Sequence, residues 1–241
     1  MICKCKLADF KVEFELDYER TVNSLCAFSD EFEDPDLRVQ IPPEVFELER
    51  KLFFEENGIT YHNKTLENNA AFRVLAEKIP KHDAFVLHSA CFDVDGVGVA
   101  FAAHSGTGKT THMSLWQKLL GDKMVIVNGD KPIVRFFEDE PKQPYAYGTP
   151  WNGKEHFGCN MRTPLKHICF IERSKTNYVE KVDKKSVVDR VFKQVYMPKD
   201  PQSMMKTMQL IDRLVTCCDL WIIHCNMEDD AAKVAYGAIF E

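Results

Sequence analysis

The stretch AFAAHSGTGKTTHMSLW, residues 100–116, limits what this chain can fold into more than any other segment. An apolar run leads in, a glycine-containing turn sits in the middle, and residues of helical spacing follow. A strand that turns tightly into a helix belongs in a sheet, with the helix packed back across one face. Residues 103–110 read A-H-S-G-T-G-K-T. That is the G-x-x-x-x-G-K-[ST] phosphate-loop pattern, with Ala103 at the place of the first glycine. In such a turn the backbone N–H groups point inward around anionic oxygens, and the helix N-terminus adds partial positive charge. Gly106 and Gly108 allow backbone shapes that a side chain obstructs. The expected phosphate-facing set is Ser105, Gly106, Thr107, Gly108, Lys109, Thr110 and Thr111. Within it, Lys109 reaches the β- and γ-phosphates and the Thr110 hydroxyl takes a place on Mg²⁺. His104 lies in the same turn, with its side chain toward solvent.

The rest of the chain alternates strands and helices. FKVEFEL, residues 10–16, has the period of a half-buried strand, and LRVQI (37–41) reads as another. SDEFEDPD (29–36) is a solvated acidic loop. Residues 42–58 open with prolines and close with Asn57-Gly58, the start and stop of one helix, with strands as the other reading. NNAAFRVLAEKI (68–79) is an amphipathic helix ended by Pro80. Residues 84–103 hold two apolar runs joined by Asp95-Gly96, a hairpin dipeptide, which places His88 on the first strand. Residues 111–121 continue the turn as a helix, and KMVIVNGD (123–130) is a strand ending at Asp130. The second half gives a strand at 164–173, helices at 183–196 and 203–218, a strand at 220–226 and a helix at 228–240. No repeat or linker divides the 241 residues. The expected organisation is one domain over 1–241, with a β-rich N-terminal extension over 1–65 and a nucleotide-binding core over 66–241.

Beyond the turn, three places carry candidate chemistry. Asp130 follows an apolar strand about 20 residues after the loop, where an acid holds Mg²⁺ or accepts a proton from an attacking hydroxyl. As a turn residue after Gly129 it could also be a helix cap. GTPWNGKEH (148–156) offers Lys154 as a clamp on phosphate or the transferring group, with an ordinary surface turn as the other reading, and Trp151 either stacks on a base or packs the loop. Arg162 is a fork-shaped donor for phosphate or carboxylate, with an ordinary salt bridge as its other reading.

Composition excludes several classes. A net charge of -6 opposes a broad grip on nucleic acid. No run of about 18 apolar residues exists to span a membrane. The start MICKCKLADFKVEFELDYER lacks the apolar centre of a secretory signal. Nine cysteines are irregularly spaced with no CxxC pair, which fits reduced thiols in the cytoplasm, with Cys169 a buried small hydrophobe.

HSACFDVDGVGVAFAAHSGTGKTTHMSLW resembles the central segment of bacterial HPr kinase/phosphorylases, in which a histidine precedes a strand hairpin and a loop ending GKS or GKT. SGTGKTT is also similar to the phosphate loop of ATP-dependent phosphoenolpyruvate carboxykinases, which share that fold. GTPWNGK, PLKHICFIE and LWIIHCN resemble smaller HPr-kinase-like proteins linked to peptide-modification gene clusters. The resemblance spans roughly residues 66–240. It implies an α/β fold of the HPr kinase C-terminal-domain and carboxykinase type, a P-loop fold with mixed sheets. It also implies ATP and Mg²⁺ as cofactors, with transfer of the γ-phosphoryl to a hydroxyl, a serine of a peptide or protein. His88 is then beside the γ-phosphate and assists proton movement. Asp130 is the catalytic base or metal-linked acid, Lys109 a catalytic cation, and Lys154 a nucleotide contact. Full HPr kinases are oligomeric, so a homo-oligomer is expected as well. Those kinases carry two adjacent acids where this chain has Gly129-Asp130. The single acid and Ala103 keep a second reading open, a non-catalytic nucleotide-binding scaffold or regulatory partner in peptide maturation. A kinase for a small molecule, free serine or a sugar, is the third.

Overall fold

The computed structural model describes residues 1–103 and 106–241. The chain opens with β1 (Ile2–Leu7) and β2 (Phe10–Glu15), an antiparallel hairpin. Its turn residues Ala8 and Asp9 both have positive φ, 50° and 61°, as a two-residue hairpin turn of matching twist requires. Helix α1 (Glu19–Leu25) follows, and β3 (Leu37–Gln40) joins β2 in parallel. Helix α2 (Pro43–Asn57) fills the predicted span, whereas α3 (Asn63–Lys78) starts before residue 68, where the sequence placed it. Glu67 of α3 is 1% exposed. Its carboxylate accepts the N–H groups of Asp17 (2.6 Å) and Tyr18 (3.2 Å) where the chain enters α1, so the buried charge is hydrogen-bonded.

Next come β4 (Ala84–Val86), β5 (Ala90–Val94), β6 (Val97–Ala102), α4 (Lys109–Leu120), β7 (Met124–Asn128), β8 (Ile133–Arg135), β9 (Tyr145–Tyr147) and β10 (Arg162–Arg173). The chain ends with β11 (Tyr178–Val182), α5 (Lys184–Gln194), α6 (Pro201–Cys217), β12 (Asp219–Cys225) and α7 (Asp229–Phe240). The result is an α/β architecture with mixed sheets. β4, β8, β9 and the start of β10 pair antiparallel. From Leu165, with a register shift before His167, β10 runs parallel to β6, and from His167 it is also parallel to β12. β5 and β7 extend this sheet beyond β6, and β11 closes the other edge. The 84–103 expectation is corrected here. The Asp95-Gly96 hairpin joins β5 to β6, but the first apolar run splits, because β4 and β5 pair with different partners. His88 therefore lies in the connection between two strands, not on one.

Alternation along the central strands feeds two cores, as the period-2 rule dictates. Ile168 and Phe170 of β10 and Leu220 and Ile222 of β12 pack with Val187 and Val191 of α5 and Leu210 and Leu214 of α6. Cys169, Ile171, Trp221 and Ile223 pack on the other side with Met113 and Trp116 of α4 and Ala231, Ala232 and Ala235 of α7. A further cluster joins the N-terminal sheet to α3, Ala84, Ile133 and Trp151. Among the described residues, no helix is long and apolar enough to cross a membrane.

The strand directions fix where chemistry can gather. β5 lies between β6 and β7 and is antiparallel to both. The start of β5 therefore shares one edge of the sheet with the ends of β6 and β7. β10 is parallel to β6, so its C-terminal end, Arg173, lies along the same edge. In open parallel α/β sheets ligands bind beyond the carboxyl ends of the strands, and the parallel pair β6 and β10 turn those ends to this edge.

Candidate functional site

Three of the residues singled out in the sequence meet at that edge. Lys109, the first residue of α4, brings Nζ within 3.4 Å of His88 Nε2 and donates to the Ala103 carbonyl at 2.7 Å. The same His88 Nε2 is 3.1 Å from Asp130 Oδ1. One ring nitrogen thus stands between an ammonium and a carboxylate, and with its proton on Nε2 it donates to Asp130. Lys131, which the sequence reading passed over, places Nζ 3.0 Å from Asp130 Oδ2. Both oxygens of the site's acid are therefore engaged.

These neighbours set the ionisation. Burial alone would raise the Asp130 carboxyl; the hydrogen bond from His88 and the charge of Lys131 outweigh it and hold the group at about 2. Burial draws Lys109 below the ordinary lysine range, and the charge of Asp130 opposes that shift. A carboxylate at about 2 is ionised at neutral pH.

The turn that carries Asp130 is held from beneath. Asn128, fully buried, accepts the backbone N–H groups of Asp130 (2.9 Å) and Lys131 (2.7 Å) on Oδ1. Its Nδ2 donates to the Thr149 carbonyl and hydroxyl at 3.1 and 3.0 Å, tying the turn to the segment after β9. That segment packs tightly: a Cβ on Gly129 would lie 2.8 Å from the Asn152 carbonyl oxygen and 3.2 Å from that of Phe157. The place where the resembled kinases carry a second acid is filled here by backbone.

Gly106 and Gly108 have φ of 75° and 120°, the region that favours glycine. A Cβ on either would meet nothing within 4 Å, so backbone shape is the reason for these glycines. Among the described residues, no side chain caps the start of α4, which leaves its first-turn amides available to an anion. Arg173 at the end of β10 donates through Nη2 to the Gly106 carbonyl and through Nε to that of Thr107, the latter at 3.3 Å. Those two carbonyls are thereby engaged from outside the turn. Thr110 and Thr111 lie in the first turn of α4. Ser105, with His104, lies outside the described residues.

The residues present fit a nucleotide polyphosphate: an uncapped helix start, two glycines at positive φ, and a lysine at the mouth of the turn. They also fit Mg²⁺ in the form it takes beside phosphates. There it needs one or two protein oxygens, its other ligands being phosphate and water; Thr110 and Asp130 are oxygen donors of that type. Among the described residues, no group of three or more His, Cys, Asp or Glu could hold a metal unaided.

The remaining candidates separate. Lys154 is exposed, and its neighbour Gly153 has a Cβ position 3.4 Å from the Asp130 Cβ, so the 149–158 segment borders the acid. Trp151 is buried. Its indole donates to the backbone oxygen and Oδ1 of Asn68 at 3.0 and 3.1 Å, and its ring lies 5.1 Å from Phe72. It packs the loop rather than offering a face to a base. Arg162 sits at the start of β10, the end away from Arg173, paired with Asp9 and Tyr147 at 3.1 Å each. The ordinary salt bridge is its role. Lys131, Arg173, Asn128 and Thr149 were missed in the sequence. Lys131 had one signal, its adjacency to Asp130; Arg173 had its place at the end of an apolar strand.

No protein-family model matches the chain, and no curated protein matches it in sequence. Among solved structures it is similar to the HPr(Ser) kinase/phosphatase from Coxiella burnetii. That match has 10% identity and a TM-score of 0.30 and covers 54% of this chain and 90% of that one. An overlap of that size assigns neither fold nor activity.

Proposed function

We propose that this chain is a distant HPr-kinase-like protein with a P-loop fold, an ATP-dependent kinase that moves the γ-phosphoryl group to a hydroxyl, a serine of a peptide or protein. The observation that carries this reading is the meeting of Lys109, His88 and Asp130 within 3.4 Å at the uncapped start of α4. The amides of residues 106–111 and the Lys109 ammonium stabilise charge on the β- and γ-phosphates. Asp130 orients the acceptor hydroxyl and takes its proton as the phosphoryl group transfers and ADP leaves, while His88 steadies Asp130 through Nε2. Little base strength is needed, since the transition state is loose and catalysis is mostly positioning and charge stabilisation. Mg²⁺, when bound through Thr110 and Asp130, supplies charge neutralisation on the phosphate oxygens. Lys154 borders the acid and contacts the nucleotide or the transferring group. We place the protein in the cytoplasm, as a homo-oligomer.

Phosphate transfer from γ-labelled ATP to peptide and protein acceptors tests the reading. Lys109→Ala is expected to abolish transfer with thermal melting retained. Asp130→Asn is expected to bind nucleotide yet lose turnover by about 10²-fold or more. Wild-type rates in Lys109→Ala would remove the loop from the mechanism. One observation favours a second reading, a nucleotide-binding scaffold without transfer: both oxygens of the lone acid are already paired. Tight nucleotide binding with neither transfer nor hydrolysis would select it.

A further inference from the structure

We propose that Lys131 is an internal cation that competes with a divalent metal ion for the carboxylate of Asp130, and so sets how strongly the site holds that metal. The inference rests on the reading of Asp130 as the acid that faces the metal. The Lys131 ammonium lies 3.0 Å from Oδ2, while the other oxygen faces His88 at 3.1 Å. A lysine on a surface is a flexible point charge; this one is fixed from several sides. Its ammonium stands over the Phe72 ring, 5.4 Å from the centroid. Its backbone N–H donates to Asn128 Oδ1 at 2.7 Å, and its carbonyl accepts the Thr149 hydroxyl at 2.8 Å.

The two partners of Asp130 differ in kind. The His88 contact is a hydrogen bond from a ring that can turn aside for a metal ion. An ammonium cannot: a divalent ion on Oδ2 would sit against Lys131, and like charges at such range repel strongly. A second carboxylate would relieve the conflict, but the Gly129 position has backbone where its side chain would go. Lys109 and Lys131 both stand by Asp130, and Glu155 brings a further carboxylate to the Gly153 side of the acid; a metal ion alone still meets two ammonium groups where it would bind Asp130. It is accepted when polyphosphate comes with it, and Lys131 then has phosphate oxygens as an alternative partner. The metal thus arrives on the nucleotide rather than waiting in the site.

Mn²⁺ binding, followed by water-proton relaxation on the full chain with and without ADP, tests this directly. Lys131→Met keeps the apolar stem against Phe72 and removes the charge. It is expected to bind Mn²⁺ about tenfold more tightly than wild type in the nucleotide-free protein. Lys131→Arg is expected to match wild type. The double variant Lys131→Met, Asp130→Asn is expected to lose the gain. The inference is overturned if Lys131→Met gains no Mn²⁺ affinity, including the case where neither protein binds measurably, or if the double variant keeps the gain. Lys131→Gln provides a second neutral variant should Lys131→Met melt early. Failure of the nucleotide reading has a separate sign, no ADP binding by wild type, and leaves the nucleotide-free comparison intact.

Discussion

Asp130 and His112 are both partly or wholly withdrawn from water, yet their environments push them in ways that serve different ends. Asp130 is surrounded by partners for its charged form, and its carboxyl is held at about 2. His112, on the α4 helix just past the glycine turn, is 2% exposed; its Nδ1 has no partner among the described residues, and its Nε2 accepts the Trp116 indole at 3.2 Å. Burial pushes its imidazole down to about 4 from 6.5. The folded state therefore prefers neutral His112, and the unfolded chain takes up the proton first. The stability it confers is complete above pH 6.5 and is lost progressively as pH falls toward about 4, by up to about 3 kcal/mol. His112→Gln can keep an acceptor for the indole without titrating. Chemical denaturation at pH 7 and pH 4.5 is expected to show a smaller loss for the variant than for wild type. Equal losses would mean that His112 is not kept neutral in the fold.

The turn after β7 and the segment 149–158 work as one unit. Asn128 bonds into both, Trp151 anchors the segment to α3 through Asn68, and Gly129 lets the two backbones approach. Gly129→Asp would restore the acid pair of the resembled kinases in sequence but not in space. The new Cβ would meet the Asn152 and Phe157 carbonyls, so the expected result is a loss of roughly 1–3 kcal/mol in a denaturant melt, with no gain in turnover. A stable variant with raised turnover would show that the segment yields easily. These same elements show what could be read beforehand. The strand at 123–130, the helix after the glycine turn and the long strand β10 were legible from apolar runs and punctuation. β1 was not, because its hairpin turns on Ala8-Asp9 at positive φ rather than on an Asn-Gly signal. β8 and β9 are three residues each, too short for a period to register. Lys109 and Asp130 were legible because a local motif carries them. Lys131 and Arg173 were not, because their importance comes from Phe72 and from the Gly106 carbonyl, neighbours supplied only by the tertiary fold.

Across the whole molecule, direction of travel explains the site better than proximity in sequence. β5 runs against β6 and β7, so three separate connections deliver His88, Lys109 and Asp130 to one edge. The opposite end of β10 is braced instead for packing. Arg135 lies over the Phe10 and Phe137 rings, and Arg162 over Tyr145, a cation and aromatic stack that joins the N-terminal hairpin to the antiparallel strands. The candidate site residues thus gather along one edge while the other end holds the layers together. The proposed function depends most on the uncapped start of α4 receiving a polyphosphate. Isothermal titration of the folded chain with ATP in the presence of Mg²⁺ measures that directly. One nucleotide bound per chain, with binding lost in Lys109→Ala, is the expected result. No heat with ATP or with GTP, from a sample that melts cooperatively, would contradict it.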